Sequence, residues 1–248
     1  MITTFDADIS NSNHWFAANH PDWQHGPVAY FSMEFAVHNS LPIYAGGLGV
    51  LAGDVCKEAS DLGLPLVAVG FMYPQGYFHQ QFCLEPTSCQ EEIYQDLNFD
   101  EAPISQVLST NGQPTVTKAK LGDVTIAVGV WQVKVGRTNI YLLDTNLVEN
   151  PEQYRELSAW LYIAEADLRL QQEIILGIAG VRILRALGIN PSVWYANEGH
   201  AAFMMIERTR EEMTNGVSFA EAMNRVRATT VFTTHTPVPA GHDVFPVE

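Results

Sequence analysis

The sequence contains no hydrophobic run long enough to cross a membrane. A spanning helix needs about 18 or more consecutive apolar residues, and no such run occurs in the 248 residues. The N-terminus, MITTFDADISNSNHWF, also lacks the basic start and the apolar stretch of a signal peptide. We therefore expect a soluble, cytoplasmic protein that has no membrane partner.

Cysteine is scarce as well. The three cysteines, Cys56, Cys83 and Cys89, are an odd number and show no Cys-x-x-Cys spacing. Neither a disulfide framework nor a four-thiolate zinc site fits this pattern, so we expect reduced thiols. The composition, 47% hydrophobic and 17% charged, is typical of a folded chain and excludes a disordered one.

Positive charge is also scarce. The chain has 13 lysines and arginines against 28 acidic residues, which gives a net charge of -15. Nucleic acids and anionic membranes bind clusters of Lys and Arg, so neither is an expected partner. The first 117 residues contain 13 acidic residues and a single base, Lys57. An anion bound there would depend mainly on backbone N–H groups or on charges supplied from elsewhere.

Alternating strand and helix patterns predict an α/β fold. Two apolar runs, 28–34 and 64–72, are typical of strands, and a glycine turn followed by a helix over 48–62 lies between them. Strand, helix and strand in this order form a βαβ unit, which implies a parallel sheet. The helical spacing predicts that its buried face contains Leu48, Leu51, Val55, Ala59 and Leu62.

The second half of the chain continues this alternation. Apolar and polar residues alternate around two-residue turns within 115–146, which predicts an antiparallel insertion over about 100–146. The elements predicted after it are a helix over 165–188, a strand over 192–197, helices over 200–214 and 218–230, and a strand over 231–234. Together these elements predict a Rossmann-like open sheet. The chain ends in a loop after a strand, so we expect it to be a fragment.

The helix predicted over 165–188 carries a polar stripe. Arg169, Gln172 and Glu173 form the stripe, and Arg169 and Glu173 have the i, i+4 spacing of an ion pair. We expect these side chains on a solvated or interdomain face. Two other segments, 1–20 and about 85–113, show no clear pattern and are expected to be poorly ordered.

The sharpest motif is the glycine-rich turn AGGLGVLAGD, residues 45–54, at the start of the first predicted helix. Glycines let a ligand approach the backbone closely, and the free N–H groups of a first helical turn bind anions such as phosphate. A tight turn with close packing of helix on sheet would explain the same glycines. The motif is neither G-x-G-x-x-G nor a Walker loop, so it does not indicate a dinucleotide or P-loop site.

A second group of polar residues follows the strand predicted over 192–197. The segment WYANEGH contains Asn197, Glu198 and His200 at the end of this strand. Ligands of open α/β sheets bind at the carboxyl ends of strands, so these three residues are candidate ligand contacts. Capping of the next helix by Asn197 and Glu198 is the alternative interpretation.

A third group follows the last predicted strand, in the segment TTHTPVPAGH. His235 there can donate to a hydroxyl group or, when protonated, oppose developing negative charge. The prolines after it would fix its position. The spacing of His235 and His242 does not fit a metal site, so we expect no metal.

Seven segments together resemble the α-glucan phosphorylases of the short bacterial and archaeal type. The resemblance extends from about residue 28 to the end of the chain. The segments are YFSMEF (30–35), SLPIYAGGLGVLAGD (40–54), KEASDLGLPLVAVG (57–70), QGYFHQ (75–80), LRLQQEIILGIAGVRILRALG (168–188), NEGHAAF (197–203) and TTHTPVPAGHDVFP (233–246).

The resemblance implies the N-terminal, Rossmann-like half of a two-domain GT-B glycosyltransferase fold. It divides the chain into an extension over 1–27 and a domain over 28–248, and the C-terminal cofactor domain is absent. The implied reaction is the retaining phosphorolysis of α-1,4-glucans, in which inorganic phosphate releases glucose 1-phosphate. Pyridoxal 5'-phosphate is the implied cofactor, with its lysine in the missing domain. We expect the isolated chain to be inactive and the full-length form to be a homodimer.

The resemblance also assigns roles to residues of the glycine turn. Gly46 and Gly47 would bind the phosphates, with the Gly47 amide toward the anion as a catalytic contact. Leu48 would lie beside the sugar, and Glu34 would lie beside the cofactor.

Further roles follow for residues at the strand ends. His235 would contact the sugar as a catalytic residue, and Asn197, Glu198 and His200 would line the cleft near it. The chain departs from the family pattern at three positions, Asn39, Ala179 and Tyr195. Of these, Tyr195 stands where the family commonly has His, which puts one polar contact in doubt.

Two other functions stay open. A nucleotide-sugar glucan synthase shares the implied architecture and a Gly-Gly-Leu-Gly turn. Such enzymes typically have Lys just before the glycines, where this chain has Tyr44 and Ala45. The second alternative is a non-catalytic glucan-binding fragment, which would bind maltodextrin tightly by itself.

Overall fold

The computed structural model describes residues 2–77, 79–82, 90–94, 96–237 and 244–245. Among them, the strands form one eight-stranded mixed sheet and a separate two-stranded hairpin. The strands are β1 (Val28–Phe31), β2 (Leu66–Phe71), β3 (His79–Phe82), β4 (Gln90–Ile93), β5 (Ser105–Gln106), β6 (Val116–Leu121), β7 (Val124–Val135), β8 (Thr138–Asp144), β9 (Val193–Asn197) and β10 (Thr230–Thr233). The helices are α1 (Ile2–Ser10), α2 (Trp15–Asn19), α3 (Gly47–Leu62), α4 (Glu152–Arg155), α5 (Ala166–Ile174), α6 (Gly180–Ala186), α7 (Phe203–Thr214) and α8 (Phe219–Ala228).

The order of strands in the large sheet creates a crevice next to β1. The order is β10, β9, β1, β2, β8, β7 and β5, with β6 also paired to β7. The pairs from β10 to β8 are all parallel. The chain leaves β1 toward β2 and β8, and it returns on the other side of β1 to form β9 and β10. The carboxyl ends of β1 and β9 therefore lie at a topological switch point, where open α/β sheets bind ligands.

The predicted βαβ unit is confirmed. β1 pairs with β2 in parallel, with Val28 opposite Leu66, and α3 connects the two strands. All six residues of β2 are buried, as expected for a parallel strand covered on both faces. The prediction of an α/β fold is thus confirmed, in the form of a mixed sheet.

The buried face of α3 differs from the predicted one. Leu51 was expected in the core but is 41% exposed. A Cβ atom at Gly53 would lie only 2.2 Å from the carbonyl oxygen of Ala36, so the helix approaches the chain too closely for large side chains. The residues buried on α3 are accordingly small: Gly49, Ala52, Gly53, Cys56, Ala59 and Ser60.

The antiparallel strands predicted within 115–146 are present and belong to the main sheet. β6, β7 and β8 pair in sequence around two-residue turns. β8 also pairs with β2 in parallel, with Val67 opposite Asn139. These strands therefore extend the main sheet, and the parallel pairing of β8 with β2 was not part of the prediction, which considered only local pairing.

The long predicted helix is interrupted by a π-helical turn. α5 passes into the turn Ile175–Ala179 and then into α6. The expectation of a solvated face for Arg169, Gln172 and Glu173 is wrong, because all three side chains are buried. The alternative of an interdomain face stays a prediction. Their stripe continues at helical spacing into Leu176, which is fully buried, so this face turns toward the core.

The first 20 residues contain α1 and α2, so the expectation of low order there is wrong. The side chain of His14 caps α2 by accepting from the N–H of Ala17. Part of the other expected segment, residues 85–89 and 95, lies outside the described residues, and the rest includes β4 and β5.

In the described parts of the chain, no helix has the length and apolar character that a membrane span requires. The boundary at residues 27 and 28 stays a prediction.

Candidate functional site

Polar side chains gather at the carboxyl ends of β1, β9 and β10, which are neighbours in the sheet. Ser32 and Glu34 follow β1, Asn197 ends β9, and His235 comes two residues after β10. Because these strands are parallel, their carboxyl ends lie at one edge. The side chains therefore meet at the switch point of the sheet.

A hydrogen-bonded path connects β1 with His235. Ser32 Oγ donates to the carbonyl oxygen of Glu34 at 3.0 Å and accepts from Asn197 Nδ2 at 3.1 Å. The amide oxygen of Asn197 lies 3.0 Å from His235 Nε2. Because an amide oxygen can only accept, this arrangement requires a proton on Nε2 of His235. The structure thus brings together Asn197 and His235, two candidate ligand contacts that the sequence predicted at the ends of different strands.

Glu198 anchors the segment that carries His235. Its Oε1 accepts from the backbone N–H groups of His235 and Thr236 at 2.7 and 2.9 Å, and from Thr236 Oγ1 at 3.0 Å. His235 Nδ1 lies 3.6 Å from the same oxygen. The helix-capping alternative does not hold for Glu198, because its side chain makes no cap hydrogen bond to the turn that follows.

Glu198 also has a backbone conformation that only glycine adopts freely. Its φ of 64° and ψ of -178° cost about 1–3 kcal/mol for a residue with a side chain. The surrounding structure retains this strain, since the carboxylate receives three donors from the following strand end. This strained residue beside the switch point is the kind of feature that clusters at ligand sites.

Burial raises the pKa of Glu198, but the hydrogen bonds from His235, Thr236 and Thr234 outweigh it and hold this pKa below its ordinary value of 4.5. A depressed pKa stabilises the folded state above the ordinary value, and this stabilisation is lost as the pH falls through the folded pKa. We therefore expect Glu198→Gln to lower the free energy of unfolding by about 1–3 kcal/mol at pH 7. The difference from the wild type should shrink as the pH falls below about 4.

Urea unfolding of both proteins at pH 7 and pH 3 measures this difference. Glu149→Gln, at an exposed carboxylate, is the matched control and should have no effect at either pH. A loss of the same size at both pH values would contradict the assigned role of the ionised Glu198.

The glycine turn at the start of α3 divides into an open part and a packed part. Among the described residues beyond its chain neighbours and its own helix backbone, a Cβ atom at Gly46 or Gly47 would meet no atom within 4 Å. At Gly49, by contrast, it would lie 2.6 Å from Tyr44 Cβ and 2.7 Å from Glu34 Oε2. The two interpretations of this motif thus apply to different glycines: Gly49 serves close packing, while the open Gly46 and Gly47 leave room for a ligand.

Glu34 holds the open part of the turn. Its Oε2 accepts from the backbone N–H groups of Ala45 at 2.6 Å and Gly46 at 3.2 Å, and its Oε1 accepts from the hydroxyl of Tyr162. Gly47 is the first residue of α3, and the N–H groups of a first turn have no acceptor within the helix. A direct contact of Glu34 with the cofactor stays a prediction. Leu48 is partly buried against the core, next to the open glycines.

His200 belongs to a buried cluster beneath Tyr162. Its Nε2 lies 3.1 Å from Arg169 Nη2, and the guanidinium carbon of Arg169 lies 4.6 Å from the centre of the Tyr162 ring. Arg169 Nε is also 3.7 Å from Glu173. The predicted residue His200 is therefore linked to the glycine turn through Tyr162, whereas Asn197 and Glu198 contact His235.

Aromatic side chains line a cavity of about 650 Å³ beside Tyr162. Its walls include Tyr77, Tyr94 and Trp160. Aromatic rings with a polar edge pack against apolar faces while they remain able to hydrogen-bond. This cavity adjoins Tyr162, the residue whose hydroxyl contacts Glu34.

The sequence pattern did not reveal Ser32, Tyr162 and Arg169 as members of the site. Ser32 lies within the motif YFSMEF, but nothing in its spacing marked its hydroxyl as a link between strands. In the part of the chain that the structure describes, no group of three or more His, Cys, Asp or Glu side chains could hold a metal ion. His242, which the metal hypothesis paired with His235, lies outside the described residues.

Comparison with known sequences adds independent information. The maltodextrin phosphorylase of Thermococcus litoralis is 45% identical to this chain over 247 residues, which is 100% of this chain and 29% of that protein. The glycogen phosphorylase of Mycobacterium tuberculosis is 46% identical over 228 residues, or 89% of this chain and 26% of that protein. That of Aquifex aeolicus is 40% identical over 220 residues, or 89% and 32%.

A family model described as a protein of unknown function, DUF3417, matches residues 1–41. The chain spans about a quarter to a third of the length of the curated relatives it matches. The resemblance that the motifs predict is thus confirmed: this chain is homologous, over most of its length, to the glycogen and maltodextrin phosphorylases.

Proposed function

We propose that this chain forms one half of the catalytic cleft of an α-1,4-glucan phosphorylase with the two-domain GT-B fold. The observation that carries the proposal is the open pair Gly46 and Gly47 at the start of α3, held by Glu34 at the same sheet edge as His235. The names of the relatives support glucan and phosphate as substrates. The remainder of such an enzyme would form the other half of the cleft.

In the proposed reaction, a phosphate oxygen forms a bond to C1 of the terminal glucosyl unit. The α-1,4 bond breaks with retention, glucose 1-phosphate is released, and a proton passes to O4 of the shortened glucan. The Gly47 amide would donate to the attacking phosphate, because it points out of the first turn of α3. Negative charge is also favoured there by the helix dipole.

His235 would contact the sugar. Its imidazole is oriented by Asn197, and its backbone is held by Glu198. Asn197 is in turn fixed by Ser32, so the ring is anchored to β1 as well as to β9. Leu48 and the aromatic cavity beside Tyr162 would face the glucan.

The residues of this chain also fit a phosphate-bearing cofactor near the glycine turn. The space beside Gly46 and Gly47 is open, which leaves room for such a group next to the amides of the first turn of α3. Pyridoxal 5'-phosphate, when bound, would supply a phosphate group for proton transfer. Lys57 is the single base of the first 117 residues, so most cations opposite the two anions would come from the remainder of the enzyme.

A chimera tests the proposal. This chain replaces the aligned 247 residues of the Thermococcus litoralis maltodextrin phosphorylase, to which it is 45% identical. We expect the chimera to release glucose 1-phosphate from maltodextrin when inorganic phosphate is present. The isolated 248-residue chain should release none.

The parent phosphorylase is the positive control, and circular dichroism shows whether the chimera folds. A folded chimera that does not consume phosphate would reject the proposal. Elongation of maltodextrin from a nucleotide sugar would favour the synthase alternative. Tight binding of maltodextrin by the isolated chain would favour a glucan-binding fragment.

A further inference from the structure

We propose that Tyr162 is a positioning residue that fixes the glycine turn for its anion through Glu34. Its hydroxyl donates to one oxygen of the Glu34 carboxylate, and the other oxygen accepts from the amides of Ala45 and Gly46. The contacts themselves are independent of the activity. The consequence for phosphate rests on the proposed function.

The backbone of Tyr162 is held in an unusual conformation. Its φ is 60°, in the left-handed region that residues with a Cβ seldom adopt, at a cost of about 1–3 kcal/mol. Neighbouring contacts enforce this conformation. The N–H of Leu161 donates to the carbonyl of Gly76 at 3.0 Å, and Gln172 Nε2 donates to the carbonyl of Trp160 at 3.0 Å. The two residues before Tyr162 are thus held by two different parts of the chain.

The ring of Tyr162 is also fixed from below. The buried Arg169 guanidinium lies 4.6 Å from the ring centre, within the range of a cation–π contact. With backbone and ring both held, the hydroxyl has little freedom except toward Glu34. The strain at Tyr162 therefore serves to aim one hydrogen bond.

This hydrogen bond determines which amides of the turn remain for a ligand. Glu34 uses the N–H groups of Ala45 and Gly46, which leaves the Gly47 amide to donate to the anion. The side of Glu34 facing α3 is closed by Gly49, where even a Cβ would lie 2.7 Å from Oε2. Tyr162 fixes the opposite oxygen. If this oxygen were released, the carboxylate could rotate. The amides in the first turn of α3 would then no longer be held in position for the anion.

Tyr162→Phe tests the inference because it removes the hydroxyl and keeps the ring over Arg169. The matched control is Tyr195→Phe, which removes a hydroxyl bonded to Thr233 Oγ1 at 2.6 Å. The measurement is amide hydrogen exchange of Ala45 and Gly46 in the 248-residue chain. Loss of a hydrogen bond to a charged group should accelerate their exchange about tenfold or more in Tyr162→Phe. The control should leave the exchange of both amides unchanged.

The same substitution in the chimera tests the consequence for the anion. We expect the KM for inorganic phosphate to rise about tenfold in Tyr162→Phe, while the KM for maltodextrin stays unchanged. A purely structural role would lower the amount of folded enzyme and leave both KM values as they were. A rise in the KM for phosphate without a rise in the KM for maltodextrin therefore shows that Tyr162 positions the turn for the anion.

Two results would overturn the inference. Unchanged exchange of Ala45 and Gly46 in Tyr162→Phe would show that the hydroxyl does not hold the turn. Faster exchange with an unchanged phosphate KM would show that the hydrogen bond from Tyr162 fixes the turn but does not affect binding of the anion. If the chimera that contains wild-type Tyr162 has no activity, the proposed function fails, and the exchange measurement still decides whether Tyr162 holds the turn.

Discussion

Gly47→Ala is expected to lower the phosphorolysis rate of the chimera about a hundredfold without destabilising the chain. The new methyl group would meet no atom within 4 Å in the described part of the chain outside its own helix and neighbours, so the folded state can accept it. Alanine also favours a helix by about 1 kcal/mol over glycine. The methyl group would, however, stand where the anion must approach the Gly47 amide. Loss of one such backbone donor typically costs about 100-fold to 1,000-fold in rate.

The comparison with Gly49→Ala separates an effect on ligand binding from an effect on packing of the helix. This change, two residues along the same helix, would place a Cβ 2.6 Å from Tyr44 Cβ. We expect it to destabilise the chain by about 1–3 kcal/mol. Thermal unfolding of the 248-residue chain and phosphate kinetics of the chimera measure the two effects. Unchanged kcat and KM in Gly47→Ala would remove Gly47 from the anion site.

His235→Ala should lower kcat of the chimera about thirtyfold, corresponding to about 2 kcal/mol of lost transition-state binding. The imidazole of His235 is 30% exposed, so its removal leaves little empty space in the core. Asn197 loses one partner but retains Ser32. The effect should therefore fall on the reaction and leave the unfolding temperature nearly unchanged.

Steady-state kinetics with maltodextrin and phosphate measure this effect. The control is His20→Ala, at an exposed histidine that follows α2. A contact made mainly in the transition state lowers kcat with little change in KM. Wild-type kinetics in His235→Ala would leave this residue with a structural role through its backbone alone.

The sequence predicted those parts of the fold whose signals are local. β1, α3 and β2 followed from two apolar runs and a glycine turn, and the hairpins around β7 followed from alternation and short turns. The parallel pairing of β8 with β2 was missed, because Asn139 and Val67 are far apart in sequence. Of the small buried residues of α3, only Ala59 was predicted, because small residues carry almost no hydropathy signal.

The site was predicted in part for the same reason. Asn197 ends β9, Glu198 follows it, and His235 comes two residues after β10. The position of strand ends is a local signal. Tyr162 precedes a helix in a segment without a motif, and its value to the site depends on a hydrogen bond to Glu34 across the fold. Arg169 was expected as a solvated or interdomain partner of Glu173, because helical spacing does not show what covers a polar stripe.

The return of the chain from β8 to β9 also affects how the protein folds. The hydrogen bond between Asn197 and Ser32 joins residues 165 positions apart, whereas β7 and β8 are joined by a two-residue turn. Local hairpins close quickly, and contacts of high sequence separation form slowly. The crevice between β1 and β9 would therefore be among the last parts of the molecule to assemble. A substitution that delays the docking of β9 would delay the appearance of activity without altering any group that touches a ligand.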